Sequence, residues 1–385
     1  MKTPKITASG RAKDRFHFTY PTAVWDAMSN NGVELTYGIT WLRNTDANGK
    51  RMWAVALVEP GSPAAQAGLR RGDALLSADG ISITDDSSAA TAALNASLFP
   101  TSAGQTHQLV LQRAGAELSV ALTSQQLALA PVQDVKVIPT ATGPVGYLQF
   151  HDHNAVAESA LVNAFTTLRN AGIQDLVLDM RYNGGGYLSV ASELAYMIAG
   201  PQATSGKTFE KLLANDKLGD RSGDGFTTAS VGLAPALLKR GVALPYLNLK
   251  RVTVLTTAGT CSASESVING LRGIDVEVNL IGGETCGKPY AFVPAPNCGT
   301  TYFAIQMQGV NNKGFGDYAD GFRPTCSAAD DLTREVGDAA ESMLATALSY
   351  RANGVCPATP LRNRTPSGAM RVVRPEIKEI SVRSR

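Results

Sequence analysis

The chain has 385 residues, 44% of them hydrophobic and 18% charged, with a formal net charge of +2. That length exceeds what one hydrophobic core usually supports and predicts two or three domains. The near-neutral balance argues against a nucleic-acid binder working through the phosphate backbone, and no run approaches the roughly 18 consecutive apolar residues of a membrane-spanning helix.

Residues 1–32 read as a polar tail followed by a short aromatic cap holding Phe16, Phe18, Tyr20 and Trp25. Met1 to Arg15 is polar and basic without an apolar core, so it is not an intact secretory signal. The expectation is a cytosolic chain or one whose leader has been removed. Residues 33–125 are β-rich with one helix. "MWAVALV" and "HQLVLQRAG" alternate as strands do, and "DDSSAATAALNASLF" carries caps at Asp85–Ser88 and an apolar stripe.

From about 130 to 353 strands alternate with helices, which predicts an α/β layer with a partly parallel sheet. "GPVGYLQF", "DLVLDMR", "RVTVLTT" and "VEVNLIGG" are the strands. "AVAESALVNAFTTLRNAG", "YLSVASELAYMIAG" and "SASESVINGLRG" are the helices, and residues 338–353 form a last one. Residues 201–250 lack strong periodicity and are expected to form an excursion over the active face. The tail, 354–385, is basic and is expected to be extended: from Pro357 it carries seven Lys/Arg against two Glu.

All five cysteines lie in the last third of the chain: Cys261, Cys286, Cys298, Cys326 and Cys356. None falls in a C-x-x-C pair or near a histidine partner, which argues against a zinc site, and no other metal or cofactor is called for. Cys298 and Cys326 bracket a Gly- and Tyr-rich segment and are the first candidates for a disulfide, worth about 3–4 kcal/mol in the chain-entropy model. Cys261 and Cys286 are candidates for a second bridge, and the alternative is five buried reduced thiols. Disulfides imply an extracytoplasmic compartment, either a bacterial periplasm or the exterior.

The most specific local signal in the first half is "VEPGSPAAQAGLRRGDALLSADG". A strand ends at Pro60-Gly61, Ser62 caps a short helix with Pro63 in its first turn, Gly68 stops it, and Gly72-Asp73 turns into the next strand. This run resembles PDZ domains over about residues 33–125. In such domains a peptide carboxylate sits in a nest of backbone N–H groups before the second strand. "TYGIT" matches that position, with Tyr37, Gly38 and Ile39 as the loop. The resemblance implies a peptide added as an extra strand between this strand and the helix near 86–98.

In the second half, "TTAGTCSASESVINGLRG" places Ser262 at a strand-to-helix turn, which exposes a hydroxyl and leaves helix N–H groups for an oxyanion. A serine needs a base. The four histidines are His17, His107, His151 and His153, and the first two lie outside the α/β core. A buried lysine can serve instead. Lys288, in "GGETCGKP", lies 26 positions after Ser262 and just beyond the following strand. Taken singly, such a serine is more often only an N-cap, and such a lysine a solvated loop charge.

Together, "LDMRYNGGG", "CSASE" and "GETCGK" resemble, in order, the motifs of the carboxy-terminal processing (tail-specific) proteases, which carry them after a PDZ domain. The resemblance spans about residues 33–350. It implies a core related to the ClpP and crotonase architecture, a serine peptidase with Ser262 as nucleophile and Lys288 as base, and an oxyanion hole from the backbone of Gly184, Gly185 and Ala263. Peptides or unfolded proteins are the implied partners. One departure stands out: Phe292 occupies the place, four residues after the lysine, where many members carry a glutamine. Gln306 and Gln308 are weak substitutes. Asp179 and Arg181 read as an internal salt bridge, and His151 and His153 as partly exposed structural residues, with a histidine base a minor alternative. A degenerate peptide-binding scaffold and a non-proteolytic acyl hydrolase remain rival readings. Natural substrate, cleavage preference and oligomeric state are not legible.

Overall fold

The computed structural model describes residues 6–12, 16–45, 49–218, 224–358 and 371–373. Its core is a mixed sheet of six strands in the order 132–138, 145–150, 175–179, 251–256, 277–282, 326–327. The first pairing is antiparallel and the other four are parallel. Parallel strands need crossovers, and helices Ala157–Asn170, Leu188–Thr204 and Ala263–Gly273 follow three of them.

Period-two alternation sorts the strand side chains. Leu148, Phe150, Leu176 and Leu178 pack with these helices in the larger core, while Val145, Tyr147, Val177 and Leu255 pack with the last helix, Ser342–Asn353. Both faces of Val145–Phe150 are therefore buried along its whole length, as expected of a covered parallel sheet. The helix expected to end at Gly200 continues to Thr204 across a kink. Gly200 has φ 75°, Pro201 follows it, and a Cβ on Gly200 would meet Asn248 Oδ1 at 2.0 Å. Within the aperiodic stretch, strand Thr208–Ala214 pairs antiparallel with Met307–Val310.

The β-rich module is closed at its base, where Val33–Thr36 pairs antiparallel with Gln125–Ala128. The chain thus enters and leaves at one point. Its sheet contains Ile39–Thr45, Arg51–Val58, Ala74–Ala78, Thr106–Arg113 and Ala116–Thr123. Ser62 Oγ accepts from the Ala65 N–H and caps helix Pro63–Gln66, as its sequence foretells. A buried ion network joins module to core. Arg71 of the module pairs with Asp330 and donates to Tyr182 Oη, while Arg181 pairs with Asp179, Asp330 and Glu341.

The cysteines correct one expectation. Cys298 does not meet Cys326. It is exposed, with φ 46°, in the turn between Ala295–Asn297 and Thr300–Phe303. Cys326 instead enters the core sheet beside Ile281 and pairs with Cys356, just beyond the last helix, at a Cα separation of 5.5 Å. Cys261 pairs with Cys286 at 5.2 Å. The tail is not wholly featureless either: Arg371–Val373 adds antiparallel to Ile39–Thr45 at the end of the module's sheet. The rest of it, 359–370 and 374–385, lies outside the described residues.

Candidate active site

Four consecutive parallel strands deliver segments to one end of the core sheet. His151–His153 follows strand 145–150, Asn183–Gly186 follows 175–179, Cys261–Ala263 follows 251–256, and Thr285–Lys288 follows 277–282. Ligand sites of open α/β sheets lie at these carboxyl ends.

Glu265, fully buried in the first turn of helix Ala263–Gly273, organises two of the segments. Its carboxylate accepts from the Ser262 N–H at 3.0 Å, the Gly287 N–H at 2.8 Å, the Lys288 N–H at 2.8 Å and Thr285 Oγ1 at 2.6 Å. Burial pushes this carboxyl above its ordinary range, and the hydrogen bonds partly offset that. The Cys261–Cys286 pair ties the same two loops a second time. The loops that carry Ser262 and Lys288 are therefore joined by the Glu265 carboxylate and by the Cys261–Cys286 pair.

Ser262 has φ 60° and ψ −116°, a conformation that only glycine adopts cheaply. Its surroundings over-determine it: a Cβ on Gly185 would fall 2.8 Å from Ser262 Cβ and from the Ala263 nitrogen, so only glycine fits there. The expected exposed hydroxyl is not found, because Ser262 is fully buried. Lys288 is also fully buried, its Nζ 5.0 Å from the centre of the Phe292 ring, 5.4 Å from Phe16 and 5.9 Å from Phe18. Phe292, which stands where glutamine is usual, is thus one wall of an aromatic cage around the lysine. The cap supplies the others, with Phe18 stacked on Phe303 at 4.4 Å. Gln306 accepts from the Val293 N–H and Gln308 donates to the Gly316 carbonyl.

Of the three backbone groups expected to hold an oxyanion, the Gly185 N–H donates to Asn183 Oδ1 at 2.9 Å. The Ala263 N–H opens its helix, where the ladder supplies no acceptor, and Gly184 precedes Gly185 in the glycine loop. His153 is not partly exposed but fully buried. Its Nδ1 lies 3.0 Å from Asn183 Oδ1, and its backbone N–H donates to the Gly185 carbonyl. It props the glycine loop. His151 is half-buried, and burial pushes it down to about 4.

A cavity of about 670 Å³ runs from Gly38 and Ile39 of the module, past Tyr187 and His151, to Gly184 and Gly185. In the loop before its strand, the Gly38 N–H is engaged by Thr36 Oγ1 at 3.0 Å, and the Tyr37 carbonyl accepts from the Ala64 N–H. A Cβ on Gly38 would overlap Ser62 at 2.2 Å, so the close approach of this loop to the short helix requires glycine.

Residues 144–315 match peptidase family S41, and residues 55–96 match the PDZ domain. In these two segments the chain is similar to the carboxy-terminal processing proteases. It is 29% identical over 284 residues to the chloroplastic C-terminal processing peptidase of Tetradesmus obliquus, across 68% of this chain and 52% of that one. A carboxyl-terminal-processing protease of a Picosynechococcus strain is 31% identical over 143 residues, 37% of this chain and 33% of the relative. The chain thus spans about half the length, or less, of these curated relatives. A solved Bacteroides fragilis protein assigned as an S41 protease superposes with a TM-score of 0.65 at 28% identity, covering 84% of each chain.

Proposed function

We propose that the chain is a serine endopeptidase acting on peptides or unfolded proteins through Ser262 and Lys288. The observation that carries this is their convergence: both loops are held by the Glu265 carboxylate and the Cys261–Cys286 pair, with Ser262 in a strained backbone conformation. Lys288 is fully buried, and a lysine amine held away from bulk water can serve as a base. Lys288 Nζ takes the Ser262 proton as Oγ attacks the scissile carbonyl. The Ala263 and Gly184 N–H groups receive the oxyanion. The protonated lysine gives its proton to the leaving amine, then the free amine activates water to hydrolyse the acyl-enzyme.

Recruitment runs through the module. An extended peptide joins the edge of strand Ile39–Thr45 and passes along the cavity toward Gly184. Two cystines suit an oxidising, extracytoplasmic compartment. Ser262 and Lys288 are both closed off, so substrate entry requires the aromatic cap or the glycine loop to move.

The test is cleavage of an unfolded protein with an apolar C-terminus by the unaltered chain, Ser262→Ala and Lys288→Ala. Loss in both variants with folding intact supports the dyad. Absence of cleavage by the unaltered chain across pH 6 to 10 sinks it and favours a peptide-binding scaffold.

A further inference from the structure

Strand Ile39–Thr45 has two edges. One pairs with Arg51–Val58, and the other pairs antiparallel with Arg371–Val373 of the same chain, in the register Val373↔Trp41, Val372↔Leu42, Arg371↔Arg43. The sheet order places this tail strand outermost, where a peptide would be added. Val372 does more than extend the sheet. It packs with Leu42, Ala56 and Tyr182, and its Cγ2 lies 3.1 Å from where a Cβ on Gly259 would stand, three positions before Ser262. It also lines the cavity leading to Gly184. One residue of the tail therefore touches the module, the ion-network tyrosine and the loop that carries the serine.

We infer that residues 371–373 are an intramolecular peptide ligand of the module, which competes with substrate for the Ile39–Thr45 edge and holds the enzyme in a closed resting state. The inference rests on the peptide-recruiting role assigned to that strand above.

The charge of the cavity favours a cationic occupant, in opposition to the like-charge pair Arg371↔Arg43 within the strand register. Among the described residues lining the cavity are Glu34, Glu59 and Asp152, with neither lysine nor arginine, whereas the tail from Pro357 carries seven Lys/Arg against two Glu. The preferred competing substrate is accordingly an extended segment in which apolar residues are flanked by cationic ones. Tethering supports the pairing. Only 14 residues separate Cys356, fixed to the core by Cys326, from Arg371. Short tethers raise effective concentrations to about the mM range. Against an intrinsic dissociation constant of about 100 μM, such a ligand leaves roughly one groove in ten open. Its release then raises the apparent affinity for a peptide in trans by about tenfold.

The test uses a labelled peptide copying residues 368–375, titrated by fluorescence polarisation into three chains that all carry Ser262→Ala. One is otherwise unaltered, one adds Val372→Glu, and one ends at residue 357. The expected result is about tenfold tighter binding to the second and third. Equal affinity for all three, or binding to none, overturns the inference. The truncated chain guards against a fold defect specific to Val372→Glu. Repeating the comparison with Ser262 intact separates the two readings. Tighter binding without cleavage refutes the peptidase and leaves the tail ligand standing. Cleavage that ignores both tail changes does the reverse.

Discussion

Replacing Glu265 with alanine removes the acceptor shared by four buried donors: the N–H groups of Ser262, Gly287 and Lys288 and the hydroxyl of Thr285. Each stranded donor costs about 1–3 kcal/mol. Even at the lower figure the loss is about 4 kcal/mol, corresponding to a fall of at least about 8 °C in the melting temperature of the core. Glu265→Gln retains one carbonyl oxygen but turns an amide donor toward groups that themselves donate, so an intermediate loss is expected. Thr285→Val removes one of these donors but also the acceptor of the Phe322 N–H, and should cost about 1–3 kcal/mol. The assays are thermal unfolding followed by near-ultraviolet circular dichroism and peptide hydrolysis at permissive temperature. The account expects hydrolysis to fall more steeply than stability, because the carboxylate sets the separation of the serine and lysine loops. A Glu265→Ala chain with unchanged melting and unchanged kcat refutes this reasoning.

Three further outcomes are expected. Lys288→Met fills the aromatic cage with an apolar chain of similar length, so the protein should melt at or above the original temperature while hydrolysis falls by about 10²–10⁴-fold. Glu193 is buried near Glu158, and burial first, then that neighbour, pushes it up to about 9 from an ordinary 4.5. Its contribution is fully present below about 4.5 and is lost as pH rises through about 9. Stability should therefore decline on the order of 1 kcal/mol per pH unit between about 4.5 and about 9, and Glu193→Gln, which keeps an acceptor for the Val231 N–H, should flatten that slope in urea unfolding at pH 7 and 9. Cys261→Ala with Cys286→Ala opens a loop of 25 residues and should cost about 3 kcal/mol, with hydrolysis falling while the module's peptide affinity is unchanged.

The parts of this fold legible in the sequence are those written by local chemistry. Ser62, Pro63, Gly68 and Gly72 announce a short capped helix between two strands because caps and turns demand those residue types. The approach of the Ser262 and Lys288 loops is legible because a strand–helix–strand unit returns the chain beside its start. What escaped depends on contacts between distant segments. The loop-like surroundings of Cys298 suggest a bridge, but a hairpin turn points it outward, while Cys326 finds Cys356 across the end of the last helix. The aromatic residues of the cap predict an ordered segment, yet nothing local shows that Phe16 and Phe18 face Lys288, more than 260 positions away. A three-residue strand in a basic tail carries no periodic signal at all, and only its pairing with Ile39–Thr45 reveals it. The glutamine missing at Phe292 read as a defect in the site, whereas the ring is part of the wall that keeps Lys288 from water.

The central claim is that Ser262 is a nucleophile activated by Lys288. The most direct measurement is reaction of the folded chain with a peptidyl phosphonate, followed by mass spectrometry of the proteolytic fragments. The account predicts a single phosphonyl group on Ser262, absent in Ser262→Ala and strongly slowed in Lys288→Met at unchanged folding. Labelling elsewhere, or labelling of Ser262 at the same rate with and without the lysine amine, would contradict it.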